Sequence, residues 1–178
     1  METYRINIKG LERDLTLCPI NDKLSIAAFI ILGDVELTVH VAKELLKICN
    51  DFDYIVSAEA KGIPLAYEMA RQSGKPYFIC RKGAKLYMSD PVSVDVRSIT
   101  TAKQQTLFLD SAEGEQMRGK RVVIADDVIS TGESLAAVEA ILNKFDANIV
   151  DKVTVLAEGD AINRKDIKYL QELPLFFK

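Results

Sequence analysis

The chain has 178 residues, 48% hydrophobic and 28% charged, a balance that suits one well-filled globular domain and is short for two. A formal net charge of −3 excludes the bulk basic footprint of a nucleic-acid binder, and no apolar run approaches the ~20 residues that a membrane span needs. The polar start METYRINIKG lacks the apolar core of a secretion signal, so the expected compartment is the cytoplasm, with neither nucleic acid nor membrane as partner.

Residues 1–33 carry Pro19, an apolar run over 26–32 and a Gly33-Asp34 turn, and they stand outside the strand–helix alternation that follows. The spacing then predicts a helix over 34–50. It contains the single histidine, His40, which is read as non-catalytic. Cys18, Cys49 and Cys80 are odd in number, far apart and without a second histidine, so neither a disulfide framework nor a metal site is indicated. They read as reduced packing residues.

A strand over 54–57 leads into Ser57-Ala58-Glu59-Ala60-Lys61-Gly62-Ile63, and Ile63, Ala66, Tyr67 and Ala70 mark the helix that follows. Lys61 offers a point charge, Gly62 lets a backbone come close, and the helix adds its dipole. That combination suits a phosphate group; a merely solvated Glu59 and Lys61 is the plain alternative. A strand over 76–80 delivers Arg81 and Lys82 to the same edge of the sheet, and Lys85 begins the next loop. Cations so placed can meet pyrophosphate, or simply open a charged loop.

Residues 83–106 form a long polar excursion rich in Ser, Thr, Lys and Asp. Val92, Val94 and Val96 alternate there with Ser93, Asp95 and Arg97, which predicts a half-exposed hairpin arm whose return strand is 105–109. An excursion of this length in a compact domain is a functional lid or a disordered loop. Arg97 and Lys103 reach a ligand only if the arm folds over.

The most informative stretch is 121–134, RVVIADDVISTGES. Residues 122–125 are a continuous β-branched run, as in a strand buried on both faces, and Asp126 and Asp127 stand at its carboxyl end. Ser130-Thr131-Gly132-Glu133-Ser134 then opens a helix carrying Leu135, Val138, Leu142 and Phe145 at helical spacing. Unpaired N–H groups, the helix dipole and three hydroxyls favour an anion at such a turn, and Gly132 permits close approach. Two adjacent carboxylates repel a bare phosphate, so they accept from sugar hydroxyls or hold hydrated Mg²⁺ through water. A phosphorylated sugar satisfies both halves. The bland alternative makes Asp127 a surface acid and Ser130 or Thr131 a helix cap.

A last strand over 149–157 ends in Ala157-Glu158-Gly159-Asp160-Ala161. Strands alternating with helices argue for βαβ units, hence an α/β fold with a mainly parallel sheet and ligands at the carboxyl ends of its strands.

The 121–134 string resembles the phosphoribosyl pyrophosphate (PRPP) motif of type I phosphoribosyltransferases, and 59–62 resembles the pyrophosphate loop of the adenine enzymes and their relatives, where Glu-Ala-Arg-Gly is frequent and Lys61 here replaces the arginine. The resemblance covers roughly residues 34–160. It implies that Asp126 and Asp127 are the catalytic pair at the ribose hydroxyls and that Ser130, Thr131, Gly132, Glu133 and Ser134 cradle the 5-phosphate. Glu59, Ala60, Lys61 and Gly62, with Arg81, Lys82 and Lys85, would then hold pyrophosphate. Glu133 departs from the pattern, since many members carry glycine there, and its carboxylate is expected to point away.

The same resemblance implies one domain: a mainly parallel sheet flanked by helices, a small hood from 1–33 and 160–178, and a flexible loop within 83–106 that closes over PRPP. It implies a homodimer, and Mg²⁺ held mainly by PRPP and water. Members acting on 6-oxopurines typically place a lysine where this chain has Glu158, so acceptors here favour adenine. Phe29 is a candidate stacking face, or else core. The arm over 87–109 is long for an adenine enzyme and resembles xanthine phosphoribosyltransferases and purine-operon repressors. The alternatives are therefore a xanthine or 6-oxopurine enzyme and a non-catalytic PRPP-binding regulator. A dinucleotide-binding dehydrogenase fails for lack of a G-x-G-x-x-G after a strand.

Overall fold

The computed structural model describes residues 2–96 and 105–178. Its centre is a parallel five-stranded sheet built from β4 (Tyr54–Ala58), β5 (Tyr77–Cys80), β8 (Arg121–Ile129), β9 (Asn148–Glu158) and β10 (Lys168–Leu173), in the order β10-β9-β8-β4-β5. The β-branched run is buried on both faces, as its lack of alternation predicts. Val122 and Ile124 pack to one side of the sheet, Val123 and Ala125 to the other.

One side is closed by α1 (Val35–Ile48) and α2 (Gly62–Ser73), through Leu37, Val41, Leu45, Leu65 and Met69. Asp34 caps α1, its Oδ1 accepting from the Leu37 N–H at 3.0 Å. The other side is closed by α4 (Glu133–Lys144), whose Leu135, Val138 and Leu142 are buried, and by the short α3 (Ser111–Gln116).

The predicted arm is present as β6 (Pro91–Val96) and β7 (Gln105–Asp110), paired antiparallel. Val92 and Val94 pack on the α4 side while Ser93 and Asp95 are exposed. Arg81 and Phe108 exchange backbone hydrogen bonds of 2.8 Å, which fastens the arm to the end of β5. Arg97 and Lys103 lie outside the described residues.

The N-terminal region, read from sequence without secondary structure, forms three antiparallel strands: β1 (Thr3–Ile8), β2 (Leu11–Asn21) and β3 (Leu24–Ala28). The chain's end returns as β11 (Leu175–Phe177) to pair with β3, making a second, four-stranded sheet from both ends of the chain. It packs on the α1 and α2 side, where Ile6, Ile8, Leu15 and Phe29 join the core. Phe29 is 4% exposed, which corrects its candidacy as a stacking face: its ring is core. Among the described residues, no helix is long and apolar enough to cross a membrane.

Candidate active site

Strand order reverses between β4 and β8, the first and third strands of the central sheet in sequence, and a doubly wound sheet binds its ligands at such a switch point. The two strands pair only as far as Val56 and Ile124 and then part. Pairing of β8 with β9, by contrast, continues to Ile129 and Ala157. Asp126 and Asp127 therefore lie inside a strand, which runs on along β9 past the end at Ala125 that the sequence predicts, with the β4 side of the sheet open beside them.

That opening is a cavity of about 290 Å³. Glu59, Ala60, Lys61 and Gly62 wall it from the end of β4, and Asp126, Asp127 and Ser134 face them from β8 and α4. Lys82 also lines it. A smaller adjoining cavity of about 140 Å³ is lined by Asp126, Ser130, Thr131, Gly132, Glu133 and Ser134. The two sequence motifs thus converge on one continuous cleft, sharing Asp126 and Ser134. Glu133 belongs to this lining, so its position alone does not separate it from an anion there.

Gly62 is required by the closeness of this junction. A Cβ on it would stand 2.0 Å from Ser57 Oγ and 3.4 Å from Asp126 Oδ1. Ser57 is fully buried, and its hydroxyl has no hydrogen-bond partner among the described residues. The Glu59–Ala60 peptide is cis.

Lys61 Nζ lies 2.9 Å from Asp127 Oδ2, a side chain 7% exposed, while Lys61 itself is half-exposed. The contact is an ion pair without hydrogen-bond geometry, leaving that buried oxygen with acceptor capacity to spare. The Asp127 N–H donates to Asp126 Oδ1 at 2.9 Å. Burial, then the charge of Asp127, push the Asp126 carboxyl up to about 8, because two adjoining acids resist ionising together in a covered site.

On the opposite wall, the Lys82 N–H donates to Glu59 Oε2 at 2.8 Å and holds that carboxyl below its usual range, helped by the positive charges of Lys85, Arg81 and Lys82. Arg81 reaches Glu59 at 3.8 Å. Arg81 and Lys85 are therefore beside the cleft and outside its lining. Glu158, at the end of β9, also stands outside it. Burial raises the Glu158 carboxyl, opposed by a hydrogen bond from the Ser130 hydroxyl and the charge of Lys61. Cys80 is fully buried and its thiol is pushed up to about 12, in keeping with a packing role.

The turn before α4 is capped by Gly132 itself, at φ 80°, with no side-chain cap, which overturns the reading of Ser130 or Thr131 as a plain helix cap. The Thr131 hydroxyl stands at the amino end of a twelve-residue helix, and that of Ser130 donates there to Glu158. Sequence reasoning missed Arg164, whose Nη1 would stand 2.3 Å from a Cβ on Gly132. No local pattern marks it, since it follows the sheet's fourth strand in a short charged run, Arg164-Lys165-Asp166.

No cluster of three metal-binding side chains occurs among the described residues. A cation here would rest on the two aspartates, with a ligand and water completing its oxygen shell. Hydrated Mg²⁺ fits that donor set, because it keeps several waters and binds through one or two carboxylates plus phosphates.

Comparison with known proteins agrees with this geometry. Residues 33–174 match the family model described as a phosphoribosyl transferase domain. A hypoxanthine/guanine phosphoribosyltransferase of Methanococcus voltae is 35% identical over 86% of this chain and 75% of its own. One from Methanothermococcus okinawensis is 34% identical over 84% of this chain and 82% of its own. Among solved structures, adenine phosphoribosyltransferase from Thermoanaerobacter pseudethanolicus superposes with a TM-score of 0.73 at 19% identity, covering 89% of this chain and 95% of that one. The Saccharomyces cerevisiae enzyme gives 0.64 at 18% identity, over 95% and 92%. At these identities the structural likeness speaks for the fold.

Proposed function

Because the chain belongs to the phosphoribosyltransferase family, we propose that it transfers the phosphoribosyl group of PRPP to a purine base, releasing pyrophosphate and a nucleoside 5′-monophosphate. The observation that carries the proposal is the meeting of the 59–62 turn with Asp126 and Asp127 in one cleft at the switch point. A base nitrogen attacks C1 of the ribose, the C1–oxygen bond to pyrophosphate breaks, and the nitrogen gives up its proton. Positive charge grows on the ribose as in glycoside chemistry, so no protein nucleophile is needed.

In this reading Asp127 accepts from a ribose hydroxyl with its spare oxygen, and Asp126 meets the neighbouring hydroxyl. Lys61, with Gly62 and the amino end of α2, receives pyrophosphate, while Ser130, Thr131 and Ser134 with the amino end of α4 receive the 5-phosphate. Lys82, with Arg81 and Lys85 beside the cleft, adds positive charge on the pyrophosphate side. Mg²⁺, when bound, would neutralise charge on the leaving pyrophosphate, resting on Asp126 and Asp127 largely through water. The sheet made by the two chain ends is proposed as the hood over the base, and the loop within 83–106 as the lid that excludes water. A cytoplasmic homodimer, with all of this in one domain, belongs to the same proposal.

For the base, the reading best supported is a 6-oxopurine, hypoxanthine or guanine. The relatives that are about a third identical over most of their length are named for those bases. Adenine is the second reading, since an ionised Glu158 offers acceptors to an exocyclic amine and no lysine stands there. PRPP consumption with Mg²⁺ and hypoxanthine, guanine, xanthine, adenine and orotate in turn tests the proposal. Conversion of at least one purine is expected. Binding of PRPP without conversion of any base would instead make the protein a PRPP-sensing regulator.

A further inference from the structure

The cavity beside the amino end of α4 has no lysine or arginine in its lining. A phosphate monoester held there would carry close to two negative charges near neutral pH, whereas a helix end supplies roughly half a positive charge. Hydroxyl and backbone donors can satisfy the oxygens, but they bring no net charge. A cation within reach of the turn would add to them, and it has to come from outside the lining.

Arg164 is placed to be that cation. It follows the 3-10 helix Gly159–Asn163 and is held at two points by Asp166, Nε to Oδ1 at 2.9 Å and Nη2 to Oδ2 at 2.7 Å. Asp166 also takes Lys152 Nζ at 2.9 Å, and Lys152 in turn pairs with Glu139 of α4 at 2.5 Å. The guanidinium is thus fixed on two of its nitrogens to a network anchored on the same helix whose amino end it faces. The third nitrogen, Nη1, donates no hydrogen bond among the described residues and lies over Gly132. Any side chain at 132 would displace it, because an added Cβ would come within 2.3 Å. Glycine at this position thus permits both the positive φ of 80° and the approach of the guanidinium.

We propose that Arg164 is a positioning residue for the phosphate turn, steadying Gly132 and lending its positive charge to the 5-phosphate of PRPP. The inference rests on reading 130–134 as the 5-phosphate cradle. It predicts that the two phosphate-binding ends of the cleft respond differently to the removal of this charge.

Calorimetry with ribose 5-phosphate and, separately, with pyrophosphate and Mg²⁺ tests it on the intact protein, its Arg164→Gln variant and its Arg164→Lys variant. Arg164→Gln is expected to weaken ribose 5-phosphate about threefold to fivefold while changing pyrophosphate less than about twofold, the scale of one partly screened charge at one end of the cleft. Arg164→Lys is expected to recover part of that affinity. Unaltered ribose 5-phosphate affinity in Arg164→Gln overturns the assignment, and so does an equal weakening of both ligands, which would mark a structural role. Should the unsubstituted protein bind pyrophosphate and not ribose 5-phosphate, the cradle reading itself fails and takes the assignment with it.

Discussion

Lys61 Nζ stands 2.9 Å from Asp127 Oδ2, so the turn after β4 and the last residues of β8 are joined by an ion pair across the mouth of the cleft. In the proposed reaction the two residues serve opposite ends of one substrate, Lys61 its pyrophosphate and Asp127 its ribose. The pair holds the two walls in register before ligand arrives, and the arriving anion takes over the ammonium. Lys61→Met should weaken pyrophosphate by about tenfold or more in calorimetry with Mg²⁺. Because Lys61 is half-exposed, the stability lost should be only ~1 kcal/mol. Unchanged pyrophosphate affinity would take Lys61 out of the anion site.

Asp127→Asn keeps shape and volume while removing a charge and one acceptor from a buried position. Transfer should fall on the order of a hundredfold in kcat/KM, the scale of removing one preorganised hydrogen bond to the reacting sugar. Thermal unfolding should shift by no more than the ~1 kcal/mol of the half-exposed ion pair with Lys61, since Oδ2 has no well-formed hydrogen bond to lose. Normal turnover in this variant would defeat the assigned role.

Asp126 gives a pH signature. Its folded carboxyl is raised from 3.8 to about 8, so folding favours the protonated form. The group's contribution is fully present below its unfolded value and is lost as pH rises through the folded one. Asp126→Asn, permanently neutral, should therefore be more stable than the unsubstituted protein, with a gain that is larger at alkaline than at acid pH. Thermal melts of both proteins at about pH 5 and about pH 9 check this. A gain largest at the acid end would contradict the sign.

Much of this site is legible in the sequence because its signals are local. The run at 122–125 reads as a strand buried on both faces, and the two turns are marked by the very glycines, hydroxyls and cations that line the cleft. What stays hidden is non-local. Asp126 and Asp127 lie within β8 because β9 goes on pairing to Ile129, a partnership the acids themselves argue against, since aspartate is depleted in strands. The first three strands carry exposed charged pairs such as Arg5 and Asp14 at 2.8 Å, and their sheet is completed by a strand from the far end of the chain. Arg164 meets Gly132 only once β9 has carried the chain back across the sheet.

Glu158 tests the choice of base. Its carboxyl is raised by burial, so it donates when protonated and only accepts once ionised. The ratio of hypoxanthine to adenine efficiency should fall as pH rises through that ionisation. Glu158→Gln, whose amide keeps a donor at every pH, should flatten the profile. Identical profiles for the two proteins would remove Glu158 from contact with the base.

Gly62 and Ser57 form a pair whose cost and rescue can both be measured. A methyl at 62 would stand 2.0 Å from Ser57 Oγ and 3.2 Å from its Cβ, so Gly62→Ala must move either the strand end or the start of α2. Overpacking of this kind costs ~1–3 kcal/mol. The same shift would disturb Asp126, whose Oδ1 lies 3.4 Å from the added methyl, so activity should fall along with stability. Ser57→Ala alone removes a buried hydroxyl with no hydrogen-bond partner among the described residues and should be neutral or slightly stabilising. In the double variant the hydroxyl that blocks the methyl is gone, and most of the stability lost in Gly62→Ala should return. A double-mutant cycle by urea unfolding should therefore give a coupling of at least ~1 kcal/mol in the direction of rescue. Additive effects would mean that Gly62 is needed for its backbone freedom alone and not for the approach of α2 to the end of β4.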